Sequence, residues 1–138
     1  MGYAISITNA SGKPYRGKAL MVASMEKALR GRKVRNATVD VILMSDADVR
    51  ALNKAYLQHD YETDVITFAL EENAVEGEIY ISIDTARRQA ADYGVTLTNE
   101  LCRLVVHGIL HLCGLDDATE AQRAAMAQLE DRYIVQSL

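Results

Sequence analysis

The chain has 138 residues and a mass of 15.2 kDa, enough for one hydrophobic core and too little to divide comfortably into two domains. Apolar residues make up 49% and charged residues 25%, which excludes a disordered, collagen-like or disulfide-dense polypeptide. A net charge of −4 excludes a uniformly basic nucleic-acid coat.

Residues 3–8 alternate Tyr3, Ile5 and Ile7 with polar neighbours, which predicts a half-buried first strand. Gly2 and Ser6 also fit the loose N-myristoylation pattern, but the alternation favours the strand. KALMVASMEKALR (18–30) has apolar positions at helical spacing, and ATVDVILM (37–44) reads as a second strand. Ser45 offers an N-cap, with Asp48 in the first turn of a helix that runs to about Leu57. TDVITFAL (63–70) and GEIYISI (77–83) are β-branched and joined by a short polar link, which predicts neighbouring antiparallel strands. A helix over 84–93 should stop at Gly94.

The segment from Thr98 to Cys113 is apolar on most sides and is expected at the centre of the molecule. Gly114 supplies a left-handed residue after it, with Leu115 placed to meet Leu110. Thr119 and Gln122 form a capping box that opens a last helix to about Val135. The sum is one α/β (α+β) domain over residues 1–138, a small mixed sheet of about four strands packed with about five helices.

Residues 1–35 carry eight Lys and Arg against Glu26 alone, a balance of +7 that leaves −11 for the remainder. Arg30, Arg32, Lys33 and Arg35 are therefore candidate phosphate contacts, the alternative being a solvated helix end that complements the macrodipole. No apolar run approaches the roughly 18 residues of a membrane span, and MGYAISITNA lacks the plan of a secretion signal. A cytoplasmic protein with no membrane partner and reduced cysteines at 102 and 113 is expected.

Two of the three histidines, His107 and His111, lie four residues apart on the central helix, so their imidazoles share a face and converge on one ion. The glycine turn returns Asp117 toward that face. Two nitrogens, a carboxylate and an open position are the layout of a catalytic zinc site at the end of the helix. Asp116 is the neighbouring candidate for the third ligand. The competing account makes both histidines core residues bonded to backbone and Asp117 a loop cap; Cys113 and His59 are read as packing and loop residues. The pattern has the geometry of the metzincin motif, but Gly108 stands where those proteases carry their general-base glutamate.

At these residues the sequence resembles the YbeY family of bacterial metal-dependent endoribonucleases. HGILHLCGLDD is similar to that family's H-G-x-L-H-L-x-G-Y-D-H block, LNKAYLQHDYETDVITF to its L-N-x-x-Y-R-x-x-D-x-x-T-D-V-L-S-F block, and GEIYIS to its G-D-I-x-I-S block. The resemblance implies metal-assisted hydrolysis of single-stranded ribosomal RNA, in rRNA maturation and ribosome quality control. It implies one Zn2+ per chain, or another divalent transition metal, held by His107, His111 and Asp117 as the catalytic set. Ribosomal RNA or the small ribosomal subunit is the implied partner, with no DNA. Thr63 and Asp64, in the T-D of the second block, are expected to orient a ligand histidine, and Lys54 to contact substrate.

Two departures bear on the chemistry. Asp117 replaces the family's third histidine, and its charge should leave water at the ion less acidic than three imidazoles would. Leu57 replaces the family's arginine and cannot contact phosphate, a loss that Lys54 or the Arg30–Arg35 segment would have to offset. The nucleophile, hydroxide or the RNA 2′-OH, stays open. Tyr56, Tyr61 and Phe68 are candidates for base stacking. A ribosome-associated RNA-binding protein with a structural metal site, a zincin-type metalloprotease and a non-haem iron oxygenase are the alternatives.

Overall fold

The computed structural model describes residues 2–57, 64–70 and 74–138. His59, Tyr61 and Thr63 lie outside the described residues, as does the side chain of Leu57. The elements run β1 (Gly2–Asn9), α1 (Lys18–Gly31), β2 (Asn36–Met44), α2 (Asp46–Leu57), β3 (Val65–Ala69), β4 (Val75–Ser82), α3 (Ile83–Tyr93), α4 (Leu97–Leu112) and α5 (Glu120–Tyr133).

The four strands form one sheet in the order β1-β2-β4-β3. β1, β2 and β4 are parallel, whereas β3 runs antiparallel to β4 as its short link predicts. The N–H of Gly2 bonds the Arg35 carbonyl at 3.0 Å, so Gly2 begins the first strand. Alternation separates the faces. Val39, Val41 and Leu43 of β2 and Ile79 and Ile81 of β4 are fully buried on one side, against Met21, Met25 and Leu29 of α1 and Leu101, Val105 and Ile109 of α4. On the other side Phe68 of β3 meets Tyr56 of α2 and Tyr80 of β4 edge-on, with ring centroids 5.9 and 5.8 Å apart. Tyr56 and Phe68 thus pack on the face away from α4, in the aromatic contacts that stabilise a sheet surface.

The helix ends follow their sequence signals. Ser45 Oγ accepts the Asp48 N–H at 3.2 Å, and Thr119 and Gln122 form both bonds of the capping box at the start of α5. At the end of α4, Gly114 adopts φ 93°, its N–H bonds the His111 carbonyl at 2.9 Å, and the Leu115 N–H bonds the Leu110 carbonyl at 3.0 Å. These are the two bonds of a Schellman ending. The end of α1 repeats the pattern with a difference. The Lys33 N–H bonds Arg30 O and the Val34 N–H bonds Leu29 O, so the left-handed residue is Lys33, at φ 61°. Nearby Gly31 serves packing instead, since a Cβ there would lie 2.4 Å from the Tyr133 ring.

Gly108 brings α4 onto the sheet: a Cβ on it would lie 2.6 Å from the Ile79 side chain. This contact fixes the rotation of α4 about its axis. His107, about 100° around the helix from Gly108, and His111 are turned to the flank of α4 that faces α5 and the approach to β3.

Candidate metal centre

The rings of His107 and His111 sit 4.6 Å apart at an interplanar angle of 74°, with their Nε2 atoms 3.0 Å from one another. Oδ2 of Asp117 lies 3.4 Å from each Nε2. Ligand atoms bound to one tetrahedral ion at roughly 2.0–2.1 Å are about 3.3 Å apart, and this triangle has those edges. The donor set, two imidazole nitrogens and a carboxylate, fits a divalent transition metal and leaves a side open to solvent. Among the described residues this is the group of His, Cys, Asp and Glu side chains arranged to hold an ion.

Each donor is held from behind. Oε2 of Glu130, on α5, accepts from Nδ1 of His107 at 2.7 Å. That bond places the ring proton on Nδ1 and leaves the Nε2 lone pair facing the centre. Arg103 fixes Glu130 in turn: its Nη1 donates to Glu130 Oε1 at 3.0 Å and its Nη2 to Asp131 at 2.6 Å. Burial works against a charged imidazole at His107, but the Glu130 bond and the charges of Glu130, Asp117 and Asp64 outweigh it and raise its proton affinity. The same field favours a cation.

The Gly114 turn carries Asp117 into place, and three bonds keep it there. Asp116 Oδ1 accepts the Asp117 N–H at 2.8 Å, and Arg123 donates to the Asp117 and Ala118 carbonyls at 3.4 and 3.0 Å. Of the two candidate acids, Asp117 faces the histidines and Asp116 shapes the turn.

A cleft of about 230 Å³ opens beside His107 and Asp117, walled by Asp64, Glu100, Arg103, Arg123 and Glu130. Asp64 shares this cleft and accepts from Gln89 at 3.2 Å, while the partner of His107 Nδ1 is Glu130. Lys54 is exposed in the last turn of α2 and does not line the cleft. Arg30, Arg32, Lys33 and Arg35 are all exposed where α1 passes into β2. Arg32 and Arg35 border a groove of about 500 Å³ whose opposite wall is Leu112 and Cys113, the residues that follow His111. Cys102 and Cys113 are free thiols, and no helix among the described residues is long and apolar enough to cross a membrane.

Glu130 and Glu100 escape a motif-based reading, yet both leave a trace. Glu130 shares the buried stripe of α5 with Met126 and Tyr133, and Glu100 that of α4 with Leu101 and Leu104. A carboxylate at a core position of an amphipathic helix is the signal.

The chain is 43% identical over 112 residues to the endoribonuclease YbeY of Chloroherpeton thalassium, covering 80% of this chain and 79% of that one. It is 38% identical over 125 residues to the endoribonuclease YbeY of Chlorobium phaeovibrioides, covering 85% and 82%. A solution structure of a Thermotoga maritima protein superposes with a TM-score of 0.65 at 30% identity, covering 96% of this chain and 87% of the other. The family model described as endoribonuclease YbeY matches residues 7–137, and with that the chain belongs to the YbeY endoribonuclease family.

Proposed function

We propose that residues 1–138 form one catalytic unit, a zinc-dependent endoribonuclease that cleaves single-stranded segments of ribosomal RNA in the cytoplasm, on or near the small ribosomal subunit. The observation that carries this reading is the convergence of His107, His111 and Asp117 at 3.0 and 3.4 Å in a member of an endoribonuclease family. His107, His111 and Asp117 would hold the divalent ion, which when bound would supply Lewis-acid chemistry toward a phosphoryl oxygen and water. Zn2+ is favoured over Mg2+ because two of the three donors are imidazoles.

The chain's own residues supply orientation and charge. Glu130 holds the His107 ring in one tautomer, Arg103 holds Glu130, and Asp116 and Arg123 hold Asp117. A cleft of about 230 Å³ has room for part of an unpaired strand and none for a duplex. Arg32 and Arg35 line the groove beside the end of α4, with Arg30 and Lys33 exposed on the same stretch of chain, and this cationic segment supports RNA as the substrate of a protein with net negative charge. Asp64 lies in the cleft wall, where it adds to the field at His107. Gly108 disfavours peptide hydrolysis by the metzincin route, because the position that follows His107 in the chain carries no glutamate to serve as base.

The test measures bound metal on purified protein, then cleavage of a single-stranded RNA and of casein by wild type, chelator-treated protein and His111→Ala. Stoichiometric zinc and RNA cleavage lost on both treatments are expected. RNA cleavage that survives both would overturn the proposal. Full metal loading with no cleavage would make the site structural.

A further inference from the structure

Glu100 lies in the first turn of α4, seven residues and about 10 Å of helix rise before His107. Its residue is 2% exposed, it walls the same cleft as His107, and its Oε1 has no hydrogen-bond partner. Among the described residues it is the one buried side-chain oxygen or nitrogen left so. Arg103, the cation beside it, is engaged with Glu130 and Asp131. The other charged or titratable groups of the cleft are His107 on its own helix, Asp64 ahead of β3, Tyr93 of α3, Arg123 and Glu130 of α5, and Asp117 of the turn. Burial holds the carboxyl well above its ordinary range; Arg103 opposes this, and Asp64 and Glu130 add to it.

A buried carboxylate oxygen without a partner destabilises the fold, so a group that supplies the missing hydrogen bond is favoured there. Glu100 borders both this cleft and a second hollow of about 320 Å³ beside Tyr93, Val95 and Asn99; the cleft also carries His107 and Asp117, so a substrate seated there is the partner within reach of its carboxyl. On the RNA reading above, on which this inference rests, that is a phosphodiester, whose non-bridging oxygens are acceptors only. An ionised Glu100 repels such a group and a neutral one donates to it.

We propose that Glu100 takes up a proton from solvent when a single RNA strand enters the cleft and donates the resulting O–H to a non-bridging phosphate oxygen. No bond of the RNA forms or breaks in this step. Glu100 is then a substrate-binding residue, and RNA binding is linked to one proton.

The experiment follows binding of a 2′-O-methylated single-stranded oligonucleotide by fluorescence anisotropy from pH 6 to 9 at fixed ionic strength. It uses wild type, Glu100→Gln and Glu100→Leu, with calorimetry in two buffers of different ionisation enthalpy to count protons. Wild-type affinity should fall toward tenfold per pH unit above pH 7, the limit for one linked proton. Glu100→Gln, which donates without titrating, should keep only the pH dependence that other cleft groups such as His107 give both proteins, a shallower slope than wild type, and take up one proton fewer. Glu100→Leu should be about tenfold weaker than Glu100→Gln at every pH, because it cannot donate. Equal pH slopes for wild type and Glu100→Gln would overturn the proton linkage, and equal affinity of the glutamine and leucine variants would overturn the hydrogen bond, while the RNA reading stands in both cases. Failure of wild type to bind the oligonucleotide would overturn the RNA reading and this proposal together.

Discussion

Replacing Glu100 by glutamine should remove a pH-dependent loss of stability from the fold. Burial pushes this carboxyl from 4.5 up to about 7, with Arg103 pulling against the rise and Asp64 and Glu130 reinforcing it. A carboxyl whose pKa is higher in the folded than in the unfolded chain favours folding in its neutral form. That contribution is full below about pH 4.5, declines as pH rises, and is gone above about pH 7. At about 1.4 kcal/mol per pH unit the interval amounts to roughly 3 kcal/mol, a sizeable part of the 5–15 kcal/mol typical of a domain. Glutamine has the same shape and no charge at any pH. The variant should therefore lie within about half a kcal/mol of wild type at pH 4.5 and exceed it by about 3 kcal/mol at pH 8.5. In urea titrations with a slope on the order of 1.5 kcal/mol per molar, the midpoints should separate by about 2 M across that range. Titration of His107 and other groups is common to both proteins and cancels in the difference. Parallel curves of stability against pH would refute the reasoning, because they would mean that Glu100 ionises in the fold as freely as in the open chain.

Glu130→Gln should leave the fold intact and weaken metal binding by about 10- to 100-fold, measured by competition with a chromogenic chelator; unchanged affinity would remove Glu130 from the support of His107. The double variant Arg32→Ala, Arg35→Ala should weaken single-stranded RNA binding and make the plot of log K against log salt shallower by about 0.7 per arginine. An unchanged slope would mean that the groove beside Leu112 does not track phosphates. Lys33→Gly relieves a left-handed backbone at φ 61° and should stabilise by about 1 kcal/mol. Thermal denaturation should register this as a rise of about 3 °C for a chain of this size, and a fall would show that contacts of the lysine outweigh the backbone term.

The order and type of the elements are legible because each has its own periodicity and punctuation: alternation in β2 and β4, Ser45 and Thr119 as caps, Gly94 and Gly114 as stops. The antiparallel pairing of β3 with β4 follows from the short link between them. The strand order β1-β2-β4-β3 does not follow from local pattern, since it depends on which face each connecting helix covers. His107, His111 and Asp117 are visible because a helical repeat and a glycine turn bring them together over a short stretch of chain. Glu130 comes from a separate helix 23 residues beyond His107, and only the docking of α5 on α4 reveals it. Lys33 was hidden for another reason. Gly31 is the residue that composition would choose to end α1, but the ring of Tyr133 claims it, and the turn falls two positions later, where the Tyr3 hydroxyl donates to the Val34 carbonyl at 2.5 Å.

The contact of Gly108 with Ile79 bounds what this scaffold could become. A glutamate introduced at 108 to imitate the protease arrangement would begin with a Cβ 2.6 Å from Ile79, and room for it would come only from lifting α4 off β4. Both imidazoles ride on α4, so the lift would scatter the ion's ligands before the new acid could act. Evolution or engineering toward amide cleavage would have to rebuild the helix–sheet interface first, a barrier no wider than a methyl group.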